Sequence, residues 1–318
     1  MLWKSAVGEE NFSCEEAPAV EVDRQLPNGD EIFLDHVGHF VPDVASACDA
    51  LVQAGFAPTP VSIQVGRDDG ASRPTGTGNV TAMLRRGYLE VLFKTADTPL
   101  GRELDAALAR YPGLHLAAFA VADAGAAHRR LAAAGFRVRP LVEMQRPVDT
   151  ATGIGMAAFT IARVEPGEMA EGRIQMLTHR SEDNVWQQRW LEHPNGSIGL
   201  SGLIIAAADV EEAAQRFARF TDRPARSSRM GQAIQLDRGR VELMSAEAFT
   251  AMLPEIGIPC LPFMGAYGLL VRSLPHAETV LCHGGLQPRR VGAALAVPFP
   301  AALGRGAWLF AENAAEFP

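Results

Sequence analysis

The sequence predicts an α+β chain built from four copies of one βαβββ module, with two copies to a domain. Two observations carry that prediction. VPDVASACDALVQAGF at 41–56 and VADAGAAHRRLAAAGF at 121–136 agree at seven of sixteen positions without a gap, an internal repeat eighty residues apart. A tetrapeptide opening on Gly then closes each unit: GYLE at 87–90, GRIQ at 172–175, GRVE at 239–242 and, more loosely, GAWL at 306–309. Its last position holds Glu90, Gln175, Glu242 and Leu309 in turn, so the copies differ where a functional side chain would sit.

In the first module, Phe33 to Val41 is an apolar strand ended by Pro42, and Asp43 is placed to cap a helix running to Ala54. Val44, Ala47, Cys48, Leu51 and Val52 recur at three- and four-residue spacing, one buried stripe, and Gly55 is the expected stop. Strands are expected at 58–65, 79–86 and 88–94, separated by the turn-rich DDGASRPTGTG and by Arg86-Gly87. The second module repeats the order, with strand 114–121, helix 123–134 and strands near 137–145, 155–164 and 172–178; Asp123 and Gly135 replace Asp43 and Gly55. A third starts at Leu200, with Asp209 capping a helix through Phe220 and strands near 231–236 and 239–245. The fourth runs from about Tyr267 through a helix near 275–283 to the strand 306–311. SEDNVWQQRWLEHPNGSI at 181–198 fits neither period and reads as a linker, anchored by Trp186, Trp190 and His193. The expected organisation is an N-terminal extension over 1–31, a domain over 32–180, the linker, and a second domain over 199–318.

A chain of 318 residues with 47% hydrophobic content buries a sizeable core. A net charge of -8 opposes binding to a nucleic-acid backbone or an anionic membrane, which leaves a small molecule as the expected partner. Cys14, Cys48, Cys260 and Cys282 form no C-x-x-C pair, so neither a disulfide framework nor a thiolate metal site is indicated, and a cytoplasmic location is the simplest expectation. The first thirty residues lack the apolar run of a signal peptide, and no later run reaches the roughly twenty apolar residues of a membrane span.

LDHVGHFVPDV, the AGF after the first helix, GTGN at 76–79, GYLE at 87–90 and the LTHR…VWQQRW…HPNG passage from 177 to 196 together resemble the glyoxalase-like branch of the vicinal oxygen chelate superfamily. The resemblance covers the chain from about residue 32 onward. It implies βαβββ modules paired into cupped, barrel-like sheets, with a divalent metal held inside the cup by the first strand, often a His, and the last strand, usually a Glu, of each module. Superfamily activities include glyoxalase, epimerase and extradiol dioxygenase reactions, and some members are metal-free antibiotic-binding proteins, so fold does not choose the reaction.

His36 and Glu90 stand at the two ligand positions of module one, and a period of two puts each on a defined sheet face. An imidazole with a carboxylate suits Zn²⁺, Mn²⁺, Fe²⁺ or Ni²⁺. In module two, the position equivalent to His36 is Leu116, and His115 lies one residue off, on the opposite face unless a bulge intervenes. His179 shares the parity of Gln175 and is the expected third imidazole, while Gln175 itself reads better as a pocket hydrogen-bonder. Gly202 and Leu309 leave only Glu242 in the later modules, so the second domain reads as a structural or dimerising copy, a homodimer being the expected assembly. Glu90 interrupts the apolar run LEVLF and needs a partner or a wet cavity. GTGN lacks the spacing and context of a dinucleotide loop and reads as a turn into strand 79–86, with Asn79 reaching the cup. Arg146 is placed to hold a substrate carboxylate. The expected function is metal-assisted isomerase, lyase or hydrolase chemistry on a small oxygenated molecule, with Glu90 moving a proton. A metal-free binding protein is the alternative, and an extradiol dioxygenase ranks below both.

Overall fold

The computed structural model describes residues 24–68 and 71–317, so Cys14 and most of the N-terminal extension lie outside the described residues. Module one comprises β1 (Ile32–Phe40), α1 (Val44–Gln53), β2 (Ser62–Asp68), β3 (Ala71–Met83) and β4 (Tyr88–Lys94). A helix the sequence reading did not anticipate, α2 (Pro99–Arg110), leads into module two: β5 (Gly113–Val121), α3 (Ala124–Ala133), β6 (Val142–Thr150), β7 (Gly153–Arg163) and β8 (Arg173–His179). The short α4 (Glu182–Val185) precedes module three, made of β9 (Ser197–Ala206), α5 (Val210–Thr221), β10 (Ala225–Ser227), β11 (Gln232–Gln235) and β12 (Arg240–Met244). After α6 (Ala246–Met252), module four follows as β13 (Phe263–Val271), α7 (Leu274–His283), β14 (Arg289–Val291), β15 (Ala294–Pro298) and β16 (Ala307–Ala311).

The four module helices start for one reason. Asp43, Asp123 and Asp209 accept hydrogen bonds from Ala45, Gly125 and Glu212 backbone N–H groups, and Ser273 caps α7 in the same way. Helix α2 carries the same signal, Thr98 at the N-cap followed by Pro99. Its residues Leu104 and Ala107 turn onto the apolar cluster inside the first sheet.

Strands β1–β8 close into a barrel in the order β1-β4-β3-β2-β6-β7-β8-β5, with parallel β1/β4 and β5/β8 pairs and two antiparallel seams, β1/β5 and β2/β6. Strands β9–β16 form a second eight-stranded sheet with the same internal order but no closing seam. The expectation that GTGN is a turn is corrected: residues 76–79 lie inside the long strand β3. Its glycines mark close approach rather than reversal. A Cβ on Gly76 would meet the Thr98 hydroxyl at 2.1 Å, and one on Gly78 would meet the Phe93 ring at 2.6 Å.

Register slips at the same place in every module. Along β1/β5, His36 pairs with Ala118 but Leu34 with Phe119, which leaves Asp35 as an extra residue; Gly38 pairs with Leu116 but His39 with Leu114, which leaves His115. The β9/β13 pair leaves out Ser201 and Gly265 in the same way. In modules one, two and four the closing tetrapeptide explains how the bulge is tolerated. Gly87 packs on the carbonyl of Asp35, Gly172 on that of His115 and Gly306 on that of Gly265, so close that an added Cβ would lie 2.5 Å from each oxygen.

The two sheets share one apolar core that includes Leu34, Val37, Phe119, Leu203, Tyr267 and Trp308. A buried polar chain crosses between them. Trp308 Nε1–H donates to the Tyr267 hydroxyl at 2.6 Å, that hydroxyl lies 3.0 Å from His39 Nε2, and His39 Nδ1 lies 2.9 Å from the Leu303 carbonyl. The arrangement requires neutral His39, with Nδ1–H donating and Nε2 accepting. Burial pushes its pKa down to about 4, and burial does the same for His115.

The interior of the second sheet is filled by the chain itself. The Phe317 ring lies over Gly202 and Gly268, where an added Cβ would come within 2.4 Å and 2.3 Å of it. Arg240 donates to the Phe317 carbonyl at 2.7 Å and stacks over its ring at 5.1 Å. Phe317→Ala is expected to lower the unfolding free energy by about 3 kcal/mol or more, the usual cost of emptying a buried aromatic site. Equilibrium denaturation checks this, and a loss below about 1 kcal/mol would show that Phe317 does not fill the sheet in solution.

Because His39 and His115 are depressed below the roughly 6.5 of an unfolded histidine, the unfolded chain binds more protons between about pH 4 and 6.5. Their contribution is therefore complete above that window and lost as pH falls through it, at most about 1.4 kcal/mol per pH unit for each residue. Urea midpoints at pH 7 and pH 5 are expected to fall at the lower value; equal or higher stability at pH 5 contradicts the neutral, buried state of both rings.

Candidate functional site

The barrel interior holds the polar residues that the apolar strands cannot explain. Tyr88 and Glu90 on β4 lie beside His36 and Gly38 on β1 through the parallel pairing. The bulge sets Asp35 next to His36, so its carboxylate reaches back to the imidazole. Asp35 Oδ2 lies 2.6 Å from His36 Nδ1, and Asp35 Oδ1 lies 2.9 Å from His179 Nε2 at the end of β8. Asp35 is fully buried between the two rings. Complete burial pushes its carboxyl up, yet the charges and hydrogen bonds of His179 and His36 outweigh that and hold it well below the usual carboxylate range.

Donation of Nδ1–H to Asp35 leaves His36 Nε2 turned towards Glu90, with Oε2 3.5 Å away. A bare imidazole nitrogen and a carboxylate oxygen are both acceptors, so a shared proton or a ligand donor between them satisfies both. The Tyr88 ring stacks on His36 with centroids 4.3 Å apart and 20° between planes, which fixes the imidazole from its face. Burial raises the Tyr88 phenol well above its ordinary value, and the neighbouring Asp35 and Glu90 charges raise it further. Glu90 Oε1 accepts from Asn79 Nδ2 at 2.6 Å and from Gln64 Nε2 at 3.3 Å, and Gln64 Oε1 accepts from Thr77 at 2.7 Å. The Asn79 Oδ1 left over is buried without a partner among the described residues.

Of the residues singled out by sequence, the barrel brings His36, Glu90, Asn79, Gln175 and Arg146 onto one small cavity of about 30 Å³, with Leu116 also on its wall. Among the described residues His179 is joined to that group through Asp35, its ring is enclosed edge-on by Phe159 and Trp186, and its Nδ1 has no hydrogen-bond partner. His115 lies at its own bulge but turns away from the cavity, with Nε2–H donating to the Tyr111 carbonyl at 2.7 Å, and lines a separate pocket of about 320 Å³ beneath α2. Gln175 Oε1 accepts from Arg163 Nε at 2.9 Å. Sequence reasoning missed Asp35, Tyr88, Arg163 and Arg173. The last two sit in IARV and GRIQ, where alternation along β7 and β8 would have placed them on the inner face with Ile161 and Gln175.

Three guanidinium groups line the cavity against one carboxylate, Glu90. Arg173 donates to Glu103 at 3.3 Å and stacks over Phe40, and Arg163 holds Gln175. Arg146, 6% exposed, makes no hydrogen bond or ion pair among the described residues. Burial lowers the pKa of all three, Arg163 to about 9, and each still carries its charge at neutral pH.

The resemblance to the vicinal oxygen chelate superfamily implies a divalent metal in the cup, a role that the residues present fit poorly. Among the described residues no three His, Cys, Asp or Glu side chains converge on one point. His36 and Glu90 approach each other, but Leu116 stands where a second imidazole would be, Gln175 Oε1 is held by a guanidinium, and a cation would share the space with Arg146. One imidazole, one carboxylate and the Asn79 amide oxygen fall short of the usual three strong protein ligands of a catalytic ion. The donor set suits an anion better than a divalent cation.

No curated protein matches the chain in sequence. Among solved structures, a hypothetical protein from Staphylococcus aureus superposes with a TM-score of 0.60 at 10% identity, over 88% of this chain and 98% of that one. A mutant of 4-hydroxymandelate synthase from Streptomyces coelicolor superposes with a TM-score of 0.56 at 15% identity, over 88% and 92%. A xylose isomerase-like TIM barrel/4-hydroxyphenylpyruvate dioxygenase fusion protein gives 0.53 at 11% identity, over 90% of this chain and 50% of that one. These likenesses show the fold alone. The family model described as "Glyoxalase-like domain" matches residues 34–221, a span that carries all eight barrel strands except the first two residues of β1, and the chain belongs to that family within the vicinal oxygen chelate superfamily.

Proposed function

We propose that the N-terminal barrel binds a small oxygenated molecule and moves a proton on it, with His36 as base and Glu90 as its partner. The observation that carries this reading is the chain His179, Asp35, His36, Glu90, which ends on the cavity. Asp35 fixes the His36 tautomer and steadies the imidazolium formed when Nε2 takes a proton. Glu90, held by Asn79 and Gln64 with Oε2 3.5 Å from Nε2, would take that proton from the imidazolium and return it at the same or an adjacent atom, which completes an isomerisation with no outside oxidant or reductant and restores both residues. Gln175 and Arg146 are proposed to bind the substrate. The Tyr88 and Trp186 rings keep bulk water from His36, and the second sheet, filled by Phe317, has a structural role.

A second reading rests on a specific observation. His36 has a carboxylate behind Nδ1 and a second carboxylate before Nε2, the setting in which a metal-bound imidazole is usually held. On that reading His36 and Glu90 would hold a divalent ion that polarises substrate oxygens, with His179 supporting through Asp35 rather than as a ligand. The metal-free sequestering protein shares the cavity but needs no Asp35 relay.

Proton transfer is tested by incubating the protein with a panel of small 2-hydroxy and 2-oxo acids in D₂O and following deuterium entry by NMR. Exchange is expected on at least one member, reduced on the order of 10² or more in His36→Gln and in Asp35→Asn. Saturable binding without exchange in the wild type would instead make the barrel a sequestering site. Dialysed protein is expected to take up no stoichiometric Zn²⁺, Mn²⁺, Fe²⁺ or Ni²⁺; tight uptake lost in the His36→Ala, Glu90→Ala double variant would establish the metal reading.

A further inference from the structure

We infer that the barrel's ligand is a hydroxylated carboxylate with an apolar tail, its carboxylate on Arg146 and its tail in the cleft outside β2 and β6. The inference rests on the proton-transfer reading for the location of the reacting end and names the substrate class for that site.

Three independent features converge on it. The first is charge. A buried guanidinium is expensive unless paired and hydrogen-bonded, yet Arg146 has no hydrogen-bond partner among the described residues and only the Glu90 charge facing it, whereas Arg163 and Arg173 bond Gln175 and Glu103. Setting Arg173 against Glu103 still leaves Arg146 and Arg163 facing Glu90 alone on the cavity wall. One carboxylate restores the balance, and the planar fork of Arg binds it bidentately.

The second feature is the free acceptor. Asn79 lines the cavity and spends its Nδ2 on Glu90, so its buried Oδ1 is left without a donor among the described residues. A carboxylate alone has no donor to offer. A hydroxyl next to the carboxylate supplies one.

The third is size. The inner cavity of about 30 Å³ has room for about one water. A ligand larger than a few atoms must therefore extend outward, and Arg146 lines both this cavity and a cleft of about 350 Å³. The cleft walls include Val61, Ile63, Val148, Ile154 and Trp190, of which Val61, Ile63 and Ile154 are exposed to solvent. An apolar chain covers these side chains while the charged head stays at Arg146. The pocket beneath α2 meets the inner cavity only at Arg163 and Arg173, each of which already bonds a neighbouring side chain, whereas Arg146 lies on the cleft and has no such bond among the described residues.

Calorimetric titration of the full chain with glycolate, lactate, 2-hydroxybutyrate and 2-hydroxyhexanoate tests this. One site is expected, with affinity rising about fourfold per added methylene. The methyl ester of 2-hydroxyhexanoate and plain hexanoate, which lack the charge and the hydroxyl, are each expected to bind at least about tenfold more weakly. Arg146→Met is expected to lose carboxylate binding by a similar factor while its melting temperature holds or rises, since an unpaired buried charge has been removed. Equal affinity for acid and ester, unchanged binding in Arg146→Met, no saturation by any acid, or a fall in the melting temperature of Arg146→Met would each overturn the assignment. Deuterium exchange on an uncharged substrate would overturn it too while leaving proton transfer by His36 intact, whereas carboxylate binding without exchange would leave this assignment standing and remove the catalytic one.

Discussion

One backbone constraint organises the barrel: the first strand of each of its two modules carries an extra residue, and the Gly that opens the closing tetrapeptide makes room for that residue's carbonyl. A bulge in an apolar strand is costly, because it breaks the ladder and turns a side chain the alternation would send elsewhere. Gly87, Gly172 and Gly306 remove the steric part of that cost by omitting the Cβ that would strike the bulge oxygen. The tetrapeptide thus has two separate tasks. Its Gly supports a register slip on the neighbouring strand, and its last residue, three positions later, faces the interior.

In module one that slip is what turns two consecutive residues into one functional unit. Strict alternation would put Asp35 and His36 on opposite faces, where they could not bond. The slip lets Leu34 and Val37 both reach the common apolar core and leaves Asp35 and His36 together on the inner side. A carboxylate buried this completely is stable only because two imidazoles meet it; removing either would leave a buried charge with half its partners, a change that usually costs several kcal/mol. Fold stability and the orientation of His36 therefore depend on the same three side chains. Asp35 cannot be altered for one without disturbing the other.

The architecture was legible in the sequence because its signals are local. Asp43, Asp123 and Asp209 mark helix starts wherever they fall, and the repeated Gly tetrapeptide marks each last strand. His36 and Glu90 were legible for the same reason, each being a polar residue at a fixed place in a repeated pattern. What escaped was set by distant parts of the chain. DDGASRPTGTG reads as turn because it is rich in Gly and Pro, but Gly76 and Gly78 are small to admit Thr98 and Phe93, and nothing within the segment announces that. Asp35 was passed over because a period of two sends it outward, and the bulge that brings it in depends on Gly87, more than fifty residues later. His179 falls at or just past the end of a strand legible in the sequence, but its nearest partner is on β1, across the barrel seam.

The comparison of the two sheets shows why polar chemistry persists in one and not in the other. The equivalent bulge positions hold Asp35, His115, Ser201 and Gly265, a series that runs from an ionised relay to no side chain at all. Where the relay is present, the interior keeps Glu90, Asn79, Gln64 and three arginines, and the barrel is closed so that they are shielded. In the second sheet, Gly202 and Gly268 leave a space on the backbone that Phe317 enters, and Arg240 holds it there as Tyr88 holds His36. Glu242 survives, with burial raising its pKa, Ser228 donating to one oxygen and the Arg240 guanidinium 3.7 Å from the other. One hydroxyl and one guanidinium hold Glu242 within an apolar filling, whereas Glu90, bonded by two amides on a wall that carries three guanidinium groups, fits a charged cavity. Thus the same carboxylate position supports packing in one sheet and a charged site in the other, and the residue at the bulge, not the carboxylate, distinguishes them.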